Sequence, residues 1–250
     1  MGQVPVFTSY LLIGGGRVAR HFARYFDFES IPYSTWSRGK DDESRLRSLA
    51  ERASHVLLLI SDSAIEPFFS SHPFLHAKVA VHVSGALASP LLPSAHPLMT
   101  FNNDDPGDPY DLETYRRIPF VLERGRGTMT ELLPRLSNPA WSIESAHKTL
   151  YHALCVMSGN FTVLLWEKMF AEFERLGLPK ETALPYLDRI ARNLAASPAG
   201  HSVLTGPLVR GDRAVIERHL SVLNGDPFEG VYRAFLNAHD FETQHMIQNT

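Results

Sequence analysis

Residues 10–22 read YLLIGGGRVARHF, and this short stretch carries the pattern from which the fold is inferred. The apolar run at residues 11–13 is typical of a buried strand, and three glycines end it. Val18 and Phe22 then recur at helical spacing. A strand, a tight turn and a helix in this order predict the first unit of a parallel α/β sheet.

The glycine turn also fits the dinucleotide-binding pattern G-x-G-x-x-A. Gly14 permits the turn, Gly16 lets a pyrophosphate approach the backbone, and Ala19 lets the helix pack on the strand. The amides that begin the helix offer N–H donors and a partial positive charge to phosphates. The alternative is that the glycines form only a turn. The candidate cofactor-binding residues here are Gly14, Gly15, Gly16, Arg17 and Val18.

The end of the second predicted strand, residues 31–36, indicates which dinucleotide would bind. A chain that binds NAD usually carries Asp or Glu at this point, about 20 residues after the first glycines. Here Ser37 and Arg38 follow the strand, and Asp41 and Asp42 come only after the cations. An arginine beside a hydroxyl suits a 2′-phosphate, so NADP is favoured over NAD. The alternative is a solvated loop with ordinary charges.

The continuous apolar run at residues 55–60 predicts a buried parallel strand, and residues 78–83 are predicted to form the next strand. Ligands of open α/β sheets bind at the carboxyl ends of such strands. This placement makes Ser61, Asp62 and Ser84 candidates for cofactor contact. Asp62 or Ser63 could instead cap the helix that follows. His82 lies inside its strand and is predicted to be a hydrogen-bonded core histidine.

Strand signals continue to residue 143 and then stop. Residues 118–122 and 140–143 are predicted strands, and Pro119 predicts an edge position for the first of them. Helical periodicity dominates from Glu144 onward. The predicted fold class is therefore α/β, with a doubly wound parallel sheet over residues 1–143 and an all-α domain over residues 144–250.

One face of the long helix predicted over residues 144–176 is small or polar. Its members are Lys148, His152, Cys155, Gly159 and Thr162. A solvated stripe would favour Glu, Lys and Arg. A face that lines a cleft against the nucleotide domain explains these residue types better.

The candidate catalytic residues lie near this face and at the strand ends. If the predicted dinucleotide exchanges hydride with a substrate, the site needs an acid near the substrate heteroatom and one or two hydrogen-bond donors. His152 is the first choice for the acid because an imidazole titrates near neutral pH, and His96 at a strand end is the second. A structural role is the alternative for either histidine. Residues that could position or reach the substrate are Ser84, Tyr151, Asn160, Arg210 and Asp212, and Asp212 could instead cap a helix.

Composition limits the partners. With 250 residues, a net charge of -3 and 44% hydrophobic residues, the chain gives no reason to expect nucleic acid or a membrane as partner. The single Cys155 cannot form an internal disulfide, and no secretory signal is visible, so a cytoplasmic location is expected. Cys155 lies in mid-helix without an activating motif, so a nucleophilic role is not expected. No metal site is predicted, since no spacing of His or carboxylates resembles a zinc site.

Several segments together resemble one known group of proteins. They are the N-terminal glycines, Ser37-Arg38, Ser61-Asp62, residues 82–87 (HVSGAL), His96-Pro97-Leu98, Tyr151-His152 with Asn160, and residues 205–212 (TGPLVRGD). The chain resembles the Rossmann-like oxidoreductases with a C-terminal helical domain of unknown function. It is similar to pyrroline-carboxylate reductases and, more distantly, to hydroxyacid and 6-phosphogluconate dehydrogenases.

The resemblance implies an NADP-dependent oxidoreductase that acts on a C=O or C=N bond of a small molecule and forms a homodimer through its helical domain. The substrate would lie between the nicotinamide, the strand end at Ser84–Gly85 and the long helix. Hydroxyacid dehydrogenases carry a catalytic lysine early in this helix, but that position falls closer to His152 than to Lys148. A non-catalytic NADP-binding sensor or scaffold is the alternative, and a different nucleotide or a flavin is a third possibility.

Overall fold

The computed structural model describes residues 8–102, 110–198 and 201–248. The chain forms two compact units that divide between Lys168 and Met169. The domain boundary predicted after Ile143 coincides with the end of the last strand and stays a prediction.

The first unit is built on a parallel sheet of four strands in the order β2-β1-β3-β4. The strands are β1 (Tyr10–Ile13), β2 (Tyr33–Trp36), β3 (His55–Leu58) and β4 (Val79–His82), and the helices between them are α1 (Arg17–Phe28), α2 (Glu43–Arg52) and α3 (Asp62–Ser71). This arrangement confirms the predicted α/β class. The chain runs from β1 to β2 on one side and returns to β3 on the other, so the strand order reverses between β1 and β3. Open α/β sheets bind their ligands at this reversal.

Hydrophobic clusters cover both faces of this sheet. Tyr10 and Leu12 of β1 lie in the same cluster as Phe26 of α1, whereas Leu11 and Ile13 lie in a second cluster that includes residues of α2. Successive side chains of a strand point to opposite faces, so a strand buried on both sides needs an unbroken apolar run. The sheet is therefore a rigid base for the loops at its carboxyl edge.

A second, smaller sheet follows, in the order β5-β6-β7. Its strands are β5 (Ala95–Pro97), β6 (Phe120–Glu123) and β7 (Ala140–Ile143), and the short helices α4 (Leu112–Arg117) and α5 (Met129–Leu132) lie between them in sequence. β5 pairs antiparallel with β6, and β7 pairs parallel with it. A single bridge between His82 and Ser94 joins the two sheets.

The prediction that Pro119 directs its strand to the sheet edge is wrong, because β6 is the central strand of the second sheet. Pro119 precedes the first residue of β6, so its missing N–H interrupts no ladder hydrogen bond. Its carbonyl accepts a hydrogen bond from the backbone N–H of Leu98 at 2.8 Å.

The long helical segment is less regular than predicted. It contains a 3₁₀ turn (Ser145–His147), α6 (Lys148–Cys155), a π-helical segment (Val156–Asn160) and α7 (Phe161–Arg175). A π segment winds more loosely than an α-helix and rotates the residues that follow it. In agreement with this rotation, Lys148 is buried and His152 is half-buried, whereas Gly159 and Thr162 are exposed. The predicted polar face is thus confined to α6.

In the second unit, the described residues after α7 form a short 3₁₀ helix (Lys180–Ala183) and three α-helices, α8 (Leu184–Ala196), α9 (Arg213–Val222) and α10 (Phe228–Gln248). The predicted cap of α9 is confirmed, since the carboxylate of Asp212 accepts the N–H of Val215 at 3.2 Å. Across the described ranges, no helix has both the length and the apolar character needed to cross a membrane.

Candidate active site

The glycine turn joins β1 to α1 at the reversal of strand order. Gly14 has a φ of 142°, which L side chains rarely adopt, and its N–H donates to the carbonyl of Trp36 at 2.9 Å. A Cβ atom at Gly14 would lie 2.2 Å from the carbonyl oxygen of Leu59 in the segment after β3. Only glycine therefore lets the ends of β1 and β3 approach this closely.

Gly16 precedes the first residue of α1 and leaves the start of this helix open. Its own side-chain position is empty, since a Cβ there would meet no atom within 4 Å. The structure shows no side-chain cap at Gly16 and no acidic residue in the first turn of α1. Arg17 is exposed and Val18 is half-buried against the core. The amides at this helix start can therefore hydrogen-bond to an anion.

A cleft of about 830 Å³, called the nucleotide cleft below, lies beside this turn. It is lined by the glycine turn, the loop after β2 and the start of α3, namely Gly14, Gly15, Gly16, Trp36, Ser37, Arg38, Gly39, Asp41, Glu43, Leu59, Ile60, Ser61, Ala64, Pro67, Phe68, Ser71 and His72. Its volume falls within the range of ligand-binding cavities. Arg38 is exposed, and no hydrogen bond or ion pair joins its side chain to another described residue.

One expectation about this cleft needs correction. The sequence places Asp41 beyond the cations, away from the tip of β2. In the structure the loop folds back, and the Asp41 carboxylate accepts the backbone N–H of Ser37 at 2.9 Å. A carboxylate therefore does lie at the tip of β2, although it is paired with Arg45 at 2.8 Å.

Asp62 lies at the start of α3 but does not cap it. Ser61 is the N-cap residue, without a side-chain cap hydrogen bond, and it lines the nucleotide cleft. Asp62 accepts a hydrogen bond from the hydroxyl of Ser84 at 2.7 Å instead. The capping alternative for Asp62 and Ser63 is therefore wrong, because the Asp62 side chain reaches across to the neighbouring strand end.

The hydroxyl of Ser84 has all its hydrogen bonds within the fold. It donates to Asp62 and accepts the N–H groups of Ala86 at 3.2 Å and Leu87 at 2.9 Å. A hydroxyl has one donor and two acceptor positions, so none is left for a ligand. Ser84 fixes the backbone at the end of β4 and presents Gly85 next to it.

Four residues surround this strand end: Gly85, His96, Tyr151 and His152, named here the Gly85 cluster. A Cβ at Gly85 would lie 2.5 Å from Cδ2 of His152 and 3.0 Å from Nε2 of His96. The two imidazole centroids are 6.0 Å apart. The structure thus brings together both histidines that the sequence nominated, although they are 56 positions apart in the chain.

The two histidines differ in their hydrogen bonding. Nδ1 of His96 lies 2.7 Å from the hydroxyl of Tyr151, so only Nε2 is left to face Gly85. Burial, together with the nearby His152 and Lys148, lowers the pKa of His96 to about 4. Burial, with a hydrogen bond to Cys155, raises the pKa of Tyr151. His96 is therefore neutral at pH 7, whereas His152 is half-buried, and no hydrogen bond joins its ring to another described residue.

Lys148 and Glu123 form a buried pair that the sequence did not reveal. They are 3% and 1% exposed, and Nζ of Lys148 lies 3.8 Å from Oε1 of Glu123. Lys148 also donates to the backbone carbonyl of Ser84 at 3.1 Å and to the hydroxyl of Ser94. The only signal in the sequence for a role of Lys148 near the site is its position four residues before His152, which places both residues on one face of α6.

The pKa values of the pair reflect this network. Burial lowers the pKa of Lys148. The negative charges of Glu123 and Asp62 partly offset this effect. Burial acts to raise the pKa of Glu123, but hydrogen bonds from the side chains of Ser145 and Ser94, together with the charge of Lys148, hold it below its usual value. Lys148 and Glu123 therefore form an ion pair that links α6 to β6, and Lys148 also links α6 to the carbonyl of Ser84, next to Gly85.

His82 is the buried strand histidine that the sequence predicted. Its Nδ1 accepts the N–H of Ser84 at 3.2 Å, and its Nε2 has no partner among the described residues. Burial, with the charge of Lys148, lowers its pKa to about 4.

Other nominated residues are not joined to this cluster. Asn160 ends the π segment and is exposed, and the described contacts include no hydrogen bond from it to either histidine. Arg210 and Asp212 belong to the second unit. Across the described ranges, no three His, Cys, Asp or Glu side chains come together as metal ligands.

A family model matches the C-terminal part of the chain. The model of a domain of unknown function, DUF2520, matches residues 121–238. None of the curated proteins matches the chain.

Solved structures are similar over nearly the whole chain. A candidate NADP oxidoreductase from Bacteroides fragilis is 22% identical, with a TM-score of 0.70 and coverage of 93% of this chain and 97% of the other. An imine reductase from Myxococcus stipitatus in complex with NADP⁺ is 11% identical, with a TM-score of 0.61 and coverage of 95% and 94%. Pyrroline carboxylate reductase from Plasmodium falciparum with NADP bound is 12% identical, with a TM-score of 0.56 and coverage of 96% and 98%. At these identities the likeness establishes the fold, and it confirms the resemblance inferred from the sequence.

Proposed function

We propose that this protein is an NADP-dependent oxidoreductase that transfers hydride between NADPH and a C=O or C=N bond of a small metabolite. One observation carries the proposal. The nucleotide cleft and the Gly85 cluster lie at the same carboxyl edge of one parallel sheet, at the ends of β1, β3 and β4. Open α/β sheets bind dinucleotides at this edge. The NADP named in the three similar structures supports the same cofactor.

The residues of the cleft fit this cofactor. The open position at Gly16 and the uncapped start of α1 would hold the pyrophosphate. Ser37 and Arg38 would hold the 2′-phosphate, for which a planar guanidinium is well suited. Arg17, Val18 and Ser61 flank these positions.

Residues of the Gly85 cluster would perform the remaining chemistry. The bound nicotinamide supplies or accepts hydride. His152 would hold the proton near the substrate heteroatom, since no described residue occupies its ring nitrogens. His96, neutral and oriented by Tyr151, would donate a hydrogen bond through Nε2. Lys148 would position the backbone at Ser84, and Asn160 stays a candidate for substrate contact.

A homodimer is the proposed assembly. Leu150 and Leu154 lie one turn apart on α6, and both side chains are more than half exposed. An exposed apolar patch on a helix is typical of a surface that packs against another helix. A second copy would cover it, and Leu154→Glu should shift the sedimentation of the protein towards a monomer, whereas Leu91→Glu, at an isolated exposed position, should not.

The cytoplasmic location, expected from the single Cys155, stays a prediction.

A non-catalytic NADP-binding sensor is the second candidate, and the bonding around Ser84 favours it. Ser84, Lys148 and one nitrogen of His96 are all engaged within the fold, which leaves few polar atoms for a substrate.

Turnover distinguishes the two candidates. The protein would be mixed with NADPH and a panel of cyclic imines, 2-oxo acids and ketones, and loss of nicotinamide absorbance would be followed. We expect turnover with at least one compound and a loss of about 10²- to 10⁴-fold in His152→Gln, with NADPH binding retained. His147→Gln, at an exposed position five residues earlier in the 3₁₀ turn before α6, is the matched control. NADPH binding without turnover across the panel would favour the sensor.

A further inference from the structure

The carboxylate of Asp41 stands in conflict with a cleft for NADP. It lies at the tip of β2, held by the N–H of Ser37 at 2.9 Å, and it lines the nucleotide cleft. Chains that bind NAD carry an acid here to bind the ribose 2′-hydroxyl. A phosphate monoester carries a charge of about -1.5 to -2 at pH 7, which an unpaired carboxylate would repel.

Arg45 resolves this conflict from outside the cleft. Its Nε lies 2.8 Å from Oδ1 of Asp41, while Oδ2 of the same carboxylate holds Ser37. The side chain of Asp41 is 17% exposed and that of Arg45 is 59% exposed, so the acid faces the protein and its cation faces solvent. Arg45 is absent from the cleft lining. It can change the charge of the cleft without contacting a nucleotide there.

The second carboxylate of the cleft has a hydrogen-bond partner of its own. Oε2 of Glu43 lies 3.0 Å from Nε2 of His72, whose ring stacks on Phe68 with centroids 4.1 Å apart. The side chain of Arg38, by contrast, pairs with no other described residue. Both carboxylates that line the cleft thus have a partner, and the guanidinium of Arg38 is left for a ligand.

We propose that Arg45 is a specificity-determining residue that acts through Asp41. The ion pair cancels the charge of the carboxylate at the tip of β2, so that Ser37 and Arg38 can accept a 2′-phosphate. Without Arg45, Asp41 would repel that phosphate and could accept a hydrogen bond from a 2′-hydroxyl. This inference rests on the proposed cofactor and adds which residue decides between NADP and NAD.

Asp41 also braces the loop, and the test must separate bracing from charge. The N–H groups of Lys40 and Asp41 both donate to the carbonyl of Ser37, at 2.9 and 3.0 Å, so the turn is tight. Asp41→Asn retains a carbonyl oxygen for the Ser37 N–H and removes only the charge.

The experiment is a double-mutant cycle read by titration calorimetry with NADPH, NADH, adenosine 2′,5′-bisphosphate and AMP. Arg45→Met should weaken NADPH and the bisphosphate about tenfold, from the repulsion of a carboxylate within one Debye length of the phosphate. NADH and AMP should change less than about twofold or bind more tightly. Arg45→Lys should retain NADPH binding, and Arg45→Met with Asp41→Asn should restore it to the level of Asp41→Asn. Arg52→Met, at an exposed position in the last turn of α2, controls for lost charge at a distance.

Equal weakening of NADPH and NADH in Arg45→Met would show a structural role and overturn the inference. Failure of Asp41→Asn to restore binding would overturn it too, and so would unchanged NADPH binding in Arg45→Met. If the wild-type protein binds neither dinucleotide, the proposed function itself fails.

Discussion

The ring of His152 lies so close to Gly85 that a Cβ atom there would be 2.5 Å from its Cδ2 atom. Gly85→Ala must therefore displace His152, and it also crowds Nε2 of His96 at 3.0 Å. We expect kcat to fall about 100-fold, since a misplacement of about 1 Å in a catalytic group has this effect. NADPH binding should persist. Steady-state kinetics measure the loss, with Ala88→Ser at a nearby exposed position as control; unchanged kcat would remove the Gly85 cluster from the mechanism.

The glycine turn offers a matched pair of substitutions. Gly14→Ala forces a Cβ against the carbonyl of Leu59 and an unfavourable φ, so the free energy of unfolding should fall by about 2–4 kcal/mol. Gly16→Ala meets no atom of the protein and should cost less than about 1 kcal/mol. It should nevertheless weaken NADPH binding at least about tenfold, because the pyrophosphate approaches there. Urea unfolding and calorimetry test both, and tight binding by Gly16→Ala would contradict the placement of the pyrophosphate.

Removal of one member of the buried ion pair should destabilise the protein strongly. Lys148→Met leaves Glu123 charged and buried, and we expect a loss of about 3–5 kcal/mol in the free energy of unfolding. Lys148→Met combined with Glu123→Gln removes the unpaired charge and should recover part of that loss. The urea midpoint measures each variant. A loss below about 1 kcal/mol in Lys148→Met would mean that water reaches Glu123.

Stability should fall as the pH is lowered from 6.5 to 4. The pKa values of His82 and His96 are both about 4 in the folded protein, against about 6.5 in an unfolded chain. Within this window the unfolded chain binds protons that the folded protein does not, so protonation favours unfolding. Each histidine can contribute up to about 3 kcal/mol.

Burial is the largest cause of the low pKa of His82; of the charged groups that face it, Lys148 and Arg126 lower the pKa further, whereas Glu123 and Asp62 act to raise it. Urea unfolding at pH 7 and pH 5 gives the difference, which His82→Gln should reduce. Imidazole resonances that titrate near 6.5 for His82 and His96 would refute the prediction.

Local patterns in the sequence were enough to predict the turn and the sheet. The apolar runs, the glycines and the Asp212 cap each depend on neighbouring residues, and the structure has all of them. The position of Asp41 at the tip of β2 could not be predicted in this way. It depends on a turn after the strand that folds the chain back, so that the Asp41 carboxylate meets the N–H of Ser37. Lys148 and Glu123 are 25 residues apart and lie on different elements, α6 and β6. The periodicity of a sequence predicts single elements and does not predict a contact between two of them.

The histidines illustrate the same limit. His96 and His152 were nominated from residue type and position, but their approach across Gly85 follows only from how β4, β5 and α6 pack. The winding of residues 156–160 as a π-helix was also not predicted, since its local signal is only the pair Ser158-Gly159, and a single glycine occurs in regular α-helices too. Because Asn160 ends this segment, its predicted contact with the substrate stays a prediction.

The central claim is that the cleft binds NADP through Arg38. We would titrate NADPH and NADH into wild-type protein, Arg38→Ala and Lys40→Ala by calorimetry; Lys40 is an exposed cation outside the cleft lining. The account predicts tight NADPH binding that weakens about 10- to 100-fold in Arg38→Ala alone, as expected for the loss of a charged hydrogen-bond donor, with NADH poor throughout. Binding of neither dinucleotide, or equal binding of both in all three proteins, would contradict it.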